Sequence, residues 1–158
     1  MTNFVFNVAK GKVNDYVAKV DANDPANSAL IIVLLKTADT DAVNKDYDTL
    51  SALLAAVNVE ADFTNYARKT LTDADVTAPV PDDTGDKQDA DFPDQTWTSA
   101  GGATNNTLAK LLVCYDADTT GGTDADLVPV AVLDCVVTFD VGVATTVAFN
   151  ASGFARAA

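Results

Sequence analysis

The sequence predicts an α+β fold, mainly antiparallel β-sheet of a sandwich-like kind, with two short helices in the N-terminal half. Three observations carry this. Val-rich apolar runs recur through the second half, separated by loops of Gly, Thr, Asn and Asp. Helical spacing of apolar residues is confined to two segments before residue 58. The acidic side chains are almost all aspartate, since Glu60 is the only glutamate among 23 acidic residues. Aspartate hydrogen-bonds its own backbone and favours turns and caps, where glutamate favours helix, so this composition suits strands joined by many loops.

In chain order, Phe4, Phe6 and Val8 alternate with Asn3, Val5 and Asn7 ahead of Ala9, which reads as a first strand with one side better buried. Val13, Tyr16, Val17 and Val20 then recur at helical spacing over residues 10–20, and the turn residues 21–25 end that helix. Residues 29–35 (ALIIVLL) form a continuous apolar run rich in β-branched side chains, as expected of a central strand covered on both faces. A second helix is predicted over 46–57, with Tyr47, Leu50, Leu53, Leu54 and Val57 on one stripe and Asp46 or Asp48 as N-cap. Residues 62–71 read as a strand.

A Pro/Asp-rich loop or arm follows at about 72–93, where Pro79 and Pro81 forbid regular structure. It could act as a hinge, wrap the surface or reach a neighbouring subunit. Strands are predicted at 94–99 around Trp97, 108–115, 127–138 and 143–149, with about the C-terminal third of the chain forming an antiparallel meander. At 158 residues the chain is expected to form a single domain, 1–158.

The composition excludes much chemistry. There is no histidine, which removes Ser/His/Asp and Cys/His catalysis and the imidazole metal ligand together. No glycine-rich phosphate loop occurs, so no nucleotide cofactor is expected. A net charge of −13 repels phosphate backbones and anionic lipid, so neither nucleic acid nor membrane is an expected partner. The N-terminus lacks a basic region followed by an apolar stretch, and the run 29–35 is too short to span a bilayer. Asn105 and Asn150 begin glycosylation sequons, which mean little in a chain made in a bacterial or otherwise reducing cytoplasm. Cys114 and Cys135 each lie inside an apolar run and read as buried thiols. A cross-link would require their strands to be neighbours, which spacing leaves open.

Several residues are candidates for sites. Asp116, Asp118, Thr120 and Gly121 resemble the start of a calcium loop, but Leu127 stands where the bidentate Glu belongs. Asp124 and Asp126 leave another kind of cation site open, against the plainer reading of an acidic hairpin loop. Asp82, Asp83, Asp86, Asp89, Asp91 and Asp94 crowd the middle loop without the pocket that would drive two carboxyl pKa values apart, so catalytic residues are not expected there. Phe92 and Trp97 could stack on a sugar or anchor an interface, although Trp97 also reads as core. Lys10, Lys12 and Lys19, against Asp15, make the first twenty residues locally positive.

Taken together, FVFNVAKGKV at the start, NDPANSALIIVLLK, DYDTLSALLAA, DFTNYARKTLTDADV, the APVPDDT loop, the long segment from DFPDQTWTSAGG to DADLVPV and the terminal FNASGFARA resemble a family of tailed-bacteriophage structural proteins. Members are encoded beside the major capsid protein and described as virion or minor capsid components. The resemblance implies a non-enzymatic capsid auxiliary, or decoration, protein that binds the icosahedral shell in the virion. The major capsid protein would be its partner, assembly would take place in a reducing host cytoplasm, and the chain would be a homo-oligomer, with a trimer favoured. It carries over no catalytic, cofactor-binding or metal residue. The expected contact set is Phe4, Phe6, Trp97 and Phe154, with Lys10 and Lys12 docking on an acidic shell. The alternatives are a tail or neck protein within the virion and, in another class, a carbohydrate-binding module.

Overall fold

The computed structural model describes residues 3–140, 142–148 and 153–157, and shows a mainly antiparallel α+β protein with short helices. Phe149 and Asn150, the end of one predicted strand and one sequon, lie outside the described residues. The centre is a six-stranded antiparallel sheet. Strand β2 (Ala29–Thr37) pairs along its length with β8 (Lys110–Asp116), and β8 pairs with β9 (Val128–Asp134), which carries the short β1 (Phe4–Val5) on its other edge. The opposite edge of β2 is shared by β3 (Val59–Glu60) and β4 (Lys69–Leu71).

Because side chains alternate along a strand, the apolar run of β2 feeds two cores. Leu30, Ile32 and Leu34 join Leu111, Val113 and Tyr115 on one face, while Ala29, Ile31, Val33 and Leu35 join Leu112, Cys114 and Val132 on the other. The first face is covered by helix α1 (Val13–Asp21), which buries Tyr16, Val17 and Val20 and stacks Tyr16 on Tyr115 at 4.5 Å between centroids. The helix closes in a Schellman arrangement: Asn23, at a φ of 48°, donates to Val20 O, and Asp24 donates to Lys19 O. The second face is covered by Phe6, Leu127 and the short α3 (Leu50–Leu54).

Four expectations are corrected here. The first strand stops after Val5, because Asn7–Ala9 turns into a 3-10 helix that puts Phe6 into the core. The 46–57 helix shrinks to α3, and a separate α2 (Asp41–Asn44) precedes it. Its N-cap is Thr49, whose hydroxyl accepts from Ala52 N, and the Leu50 and Ser51 N–H groups are taken by Leu127 O and Asp124 O. Residues 62–71 are mostly turn, with Asn65 at a φ of 66° and Thr64 paired to the 101–104 loop, so only β4 reaches the sheet.

The fourth correction concerns the second half, which is a nested ribbon and not a meander. The segment 88–116 is retraced by 128–157: β5 (Gln88–Ala90) pairs with β12 (Ala155–Ala157), β6 (Gln95–Ala100) with β11 (Val143–Val147), β7 (Asn106–Thr107) with β10 (Thr138–Phe139), and β8 with β9. Gly101 lets this ribbon fold tightly. Its φ is 81°, and a Cβ there would lie 2.6 Å from the backbone of Phe139. The Pro/Asp-rich segment is tied down at several points: Val76, Ala90 and Phe92 are buried, β5 pairs within it, and Asp82 and Lys87 form a bridge at its outer end.

Candidate interaction surfaces

The aromatic side chains expected at an interface are mostly part of this protein's own core. Phe6 is fully buried against the second face, with Phe4, half-buried, edge-on to it at 5.3 Å. Trp97 is 2% exposed; its indole N–H donates to Ala67 O at 2.8 Å and its ring edge meets Phe139. Phe154 is buried beside Phe92, at 5.0 Å between centroids. Aromatic rings placed this way serve folding, so neither the Phe6/Trp97/Phe154 contact set nor a Trp97/Phe92 sugar platform is presented to solvent. Lys10 and Lys12 are both exposed.

Several of the carboxylates that suggested a cation site or acid chemistry are occupied with local structure. Asp116 accepts from Asp118 N, Asp118 from the N–H and hydroxyl of Thr120, and Asp126 from the N–H and hydroxyl of Thr123. The Thr120 bonds hold the Asp118 carboxyl below the usual carboxylate range. Asp82 accepts from Thr84 N and Gly85 N, and Asp75 from Thr72. Among the described residues no three His, Cys, Asp or Glu side chains gather as a metal would need.

Asp124 is taken by Arg68, which also grips Glu60 through two bonds, Nε to Oε1 at 2.8 Å and Nη2 to Oε2 at 2.6 Å. Both carboxylates hold the guanidinium above its ordinary value, and Arg68 in return lowers Asp124. Glu60 also receives the Tyr66 hydroxyl, whose oxygen accepts from Leu34 N at 3.1 Å. This network closes the break between β3 and β4 on the edge of β2, where Leu34 N would otherwise lack a strand partner. The two cysteines are free and sit in the cores on opposite faces of the sheet, and burial pushes the Cys114 thiol up to about 12.

The cations divide unevenly. Lys19, Lys36, Arg68, Lys87, Lys110 and Arg156 form ion pairs, and Lys69 lies 5.3 Å above the Trp97 ring. Among the described residues, the three left without a carboxylate or ring partner are Lys10, Lys12 and Lys45. All three flank the same turn: Lys10 and Lys12 follow Asn7–Ala9, and the Lys45 carbonyl accepts from Asn7 N at 2.9 Å. Beside this corner is a cleft of about 230 Å³ between the N-terminal turn and β12, with Val5, Val13 and Ala155 as its apolar lining and Lys10, Asn14 and Arg156 as its polar one.

A second surface gathers at the other region of the sheet, where β2 and β9 end and β8 begins. Lys110 is buried there, its ammonium 2.5 Å from Asp134 on the opposed strand and 2.9 Å from Asp41 at the start of α2. Asn58 ties the same end together, donating to Asn44 Oδ1 and Leu53 O and accepting from Asp39 N. Around these anchors stand exposed valines: Val43 on α2, Val57 and Val59 on either side of Asn58, and Val136 just past β9, 80% exposed. Sequence pattern gave no sign of this patch, because a valine beside a buried residue reads as core. Lys45 was equally hidden, since only the tertiary contact with Asn7 brings it to the corner.

Compared with known proteins, the chain matches no family model, no curated protein and no solved structure.

Proposed function

We propose that this protein is a non-enzymatic virion component, a capsid auxiliary protein that binds the outside of an icosahedral shell in many copies and stabilises it. The observation that carries this reading is the valine end of the sheet. Val43, Val57, Val59 and Val136 are exposed apolar side chains at this end of the sheet, on a molecule whose aromatic residues lie mostly inside and several of whose loop carboxylates, among them Asp82, Asp118 and Asp126, hold loops. Apolar side chains exposed at one end of a sheet are surface that a partner would remove from water on binding. The resemblance of the sequence to tailed-phage structural proteins supplies the partner, the major capsid protein.

The mechanism is linkage. A protein that binds the assembled shell and not its separated subunits shifts the equilibrium toward assembly, and the shift grows with the apolar area covered across each boundary. A rigid attachment suits this task, and the Lys110 ion pairs and Asn58 hydrogen bonds fix the elements that carry the valines. The test is to strip the protein from particles, measure their thermal disruption, and add back purified chain. Wild-type protein is expected to rebind and raise the disruption temperature, while Val57→Asp with Val136→Asp folds normally and fails to rebind. Equal rebinding by the variant would remove the valine end from the reading.

A further inference from the structure

We propose that the cleft beside the basic corner is a docking site for residues 78–86 of a second copy of this chain. The cleft offers an apolar lining of Val5, Val13 and Ala155 beside Lys10, with Arg156, itself held by Asp89, at its edge and Lys12 close by in sequence. The loop offers the complement. Val80 is 74% exposed between Pro79 and Pro81, and Asp82, Asp83 and Asp86 follow it. Flanking prolines hold the segment extended before it binds, so little conformational entropy is lost on docking. Charge complementarity selects the partner: in a molecule of net charge −13, the unpaired cations are confined to this corner, and the loop carries an acidic run beside an exposed aliphatic side chain.

The chain's own loop does not enter its own cleft. Its base is fixed by Gln88 Nε2 donating to Pro79 O and its outer end by the Asp82–Lys87 bridge, and Val80 lines a different hollow with Asp75 and Phe92. Loop and cleft nevertheless share one side of the molecule. Asn14 of the cleft donates to Gln88 Oε1 at 2.6 Å, and Gln88 is the residue that holds Pro79. Two copies related by a two-fold axis therefore present each loop to the other's cleft, and the contact closes on itself as a dimer. This pairing leaves the valine end free and does not depend on the proposed shell.

Sedimentation equilibrium of the purified chain tests it. The wild type is expected to be a monomer–dimer system whose dissociation constant rises about tenfold or more from low to high salt, as screening removes the charge contribution. Val80→Asp alone, and Lys10→Glu with Lys12→Glu, are each expected to sediment as folded monomers, with circular dichroism and melting unchanged because these positions are exposed. Exchanging the charges, with Lys10→Glu and Lys12→Glu combined with Asp83→Lys, is expected to restore the dimer. A monomeric wild type at all concentrations would overturn the proposal, as would a dimer that both single-side variants leave intact.

Discussion

Lys110 has its whole side chain inside the protein, and the chemistry of that position decides what its loss would do. Burial opposes the ammonium, but the hydrogen bonds it donates to Asp134 and Asp41 outweigh that and hold Lys110 above its ordinary pKa. Lys110→Met removes the cation and leaves two carboxylates facing each other. A loss of about 2–4 kcal/mol is expected in denaturant unfolding, and Lys110→Met with Asp134→Leu should recover part of it, because the penalty lies in the stranded charge. Tyr66→Phe is a smaller change of the same kind. It withdraws the acceptor from Leu34 N and a donor from Glu60, and should cost about 1–2 kcal/mol.

At the scale of elements, the nested ribbon is the feature most open to a single substitution. Gly101→Ala puts a methyl group into the backbone of Phe139 at a positive φ, so β6 and β10 must separate; a loss of about 2 kcal/mol or more is expected, with the Trp97 fluorescence shifted as its Phe139 contact loosens. Element existence was largely legible from sequence. The run 29–35 is the central strand because an apolar stretch with no polar side has nowhere else to go, and α1 was set by Val13, Tyr16, Val17 and Val20. What sequence could not supply was pairing. Residues 128–157 run back antiparallel to 88–116 through contacts far apart in the chain, and no local pattern distinguishes that from a meander. The 62–71 error has a local cause, since Asn65 in the left-handed region breaks the extended backbone that a strand over these residues would need.

Across the whole molecule, alkaline pH acts in one direction. Cys114 is raised from 9.0 to about 12 by burial, Tyr66 is raised from 10.0 by burial, and Lys110 is raised from 10.5. Each native-state value lies above the unfolded one, so the native state keeps a proton that the unfolded chain releases. Stability from these groups is complete below pH 9 and declines as pH rises toward 12. Melting temperatures should follow that course, and Cys114→Val should flatten its first part. The site was less legible than the fold. Lys10 and Lys12 stand out in the sequence as local charge, whereas Phe6, Trp97 and Phe154 lie inside the fold; large aromatics are as much the stuff of cores as of interfaces, and sequence alone does not give their burial. The proposed place in a virus shell is tested most directly by quantitative mass spectrometry of purified particles of a phage whose genome carries this sequence, giving copies of this chain per copy of the major shell protein. A ratio of one, or a simple fraction of it, is the predicted result; absence of the chain from particles would contradict it.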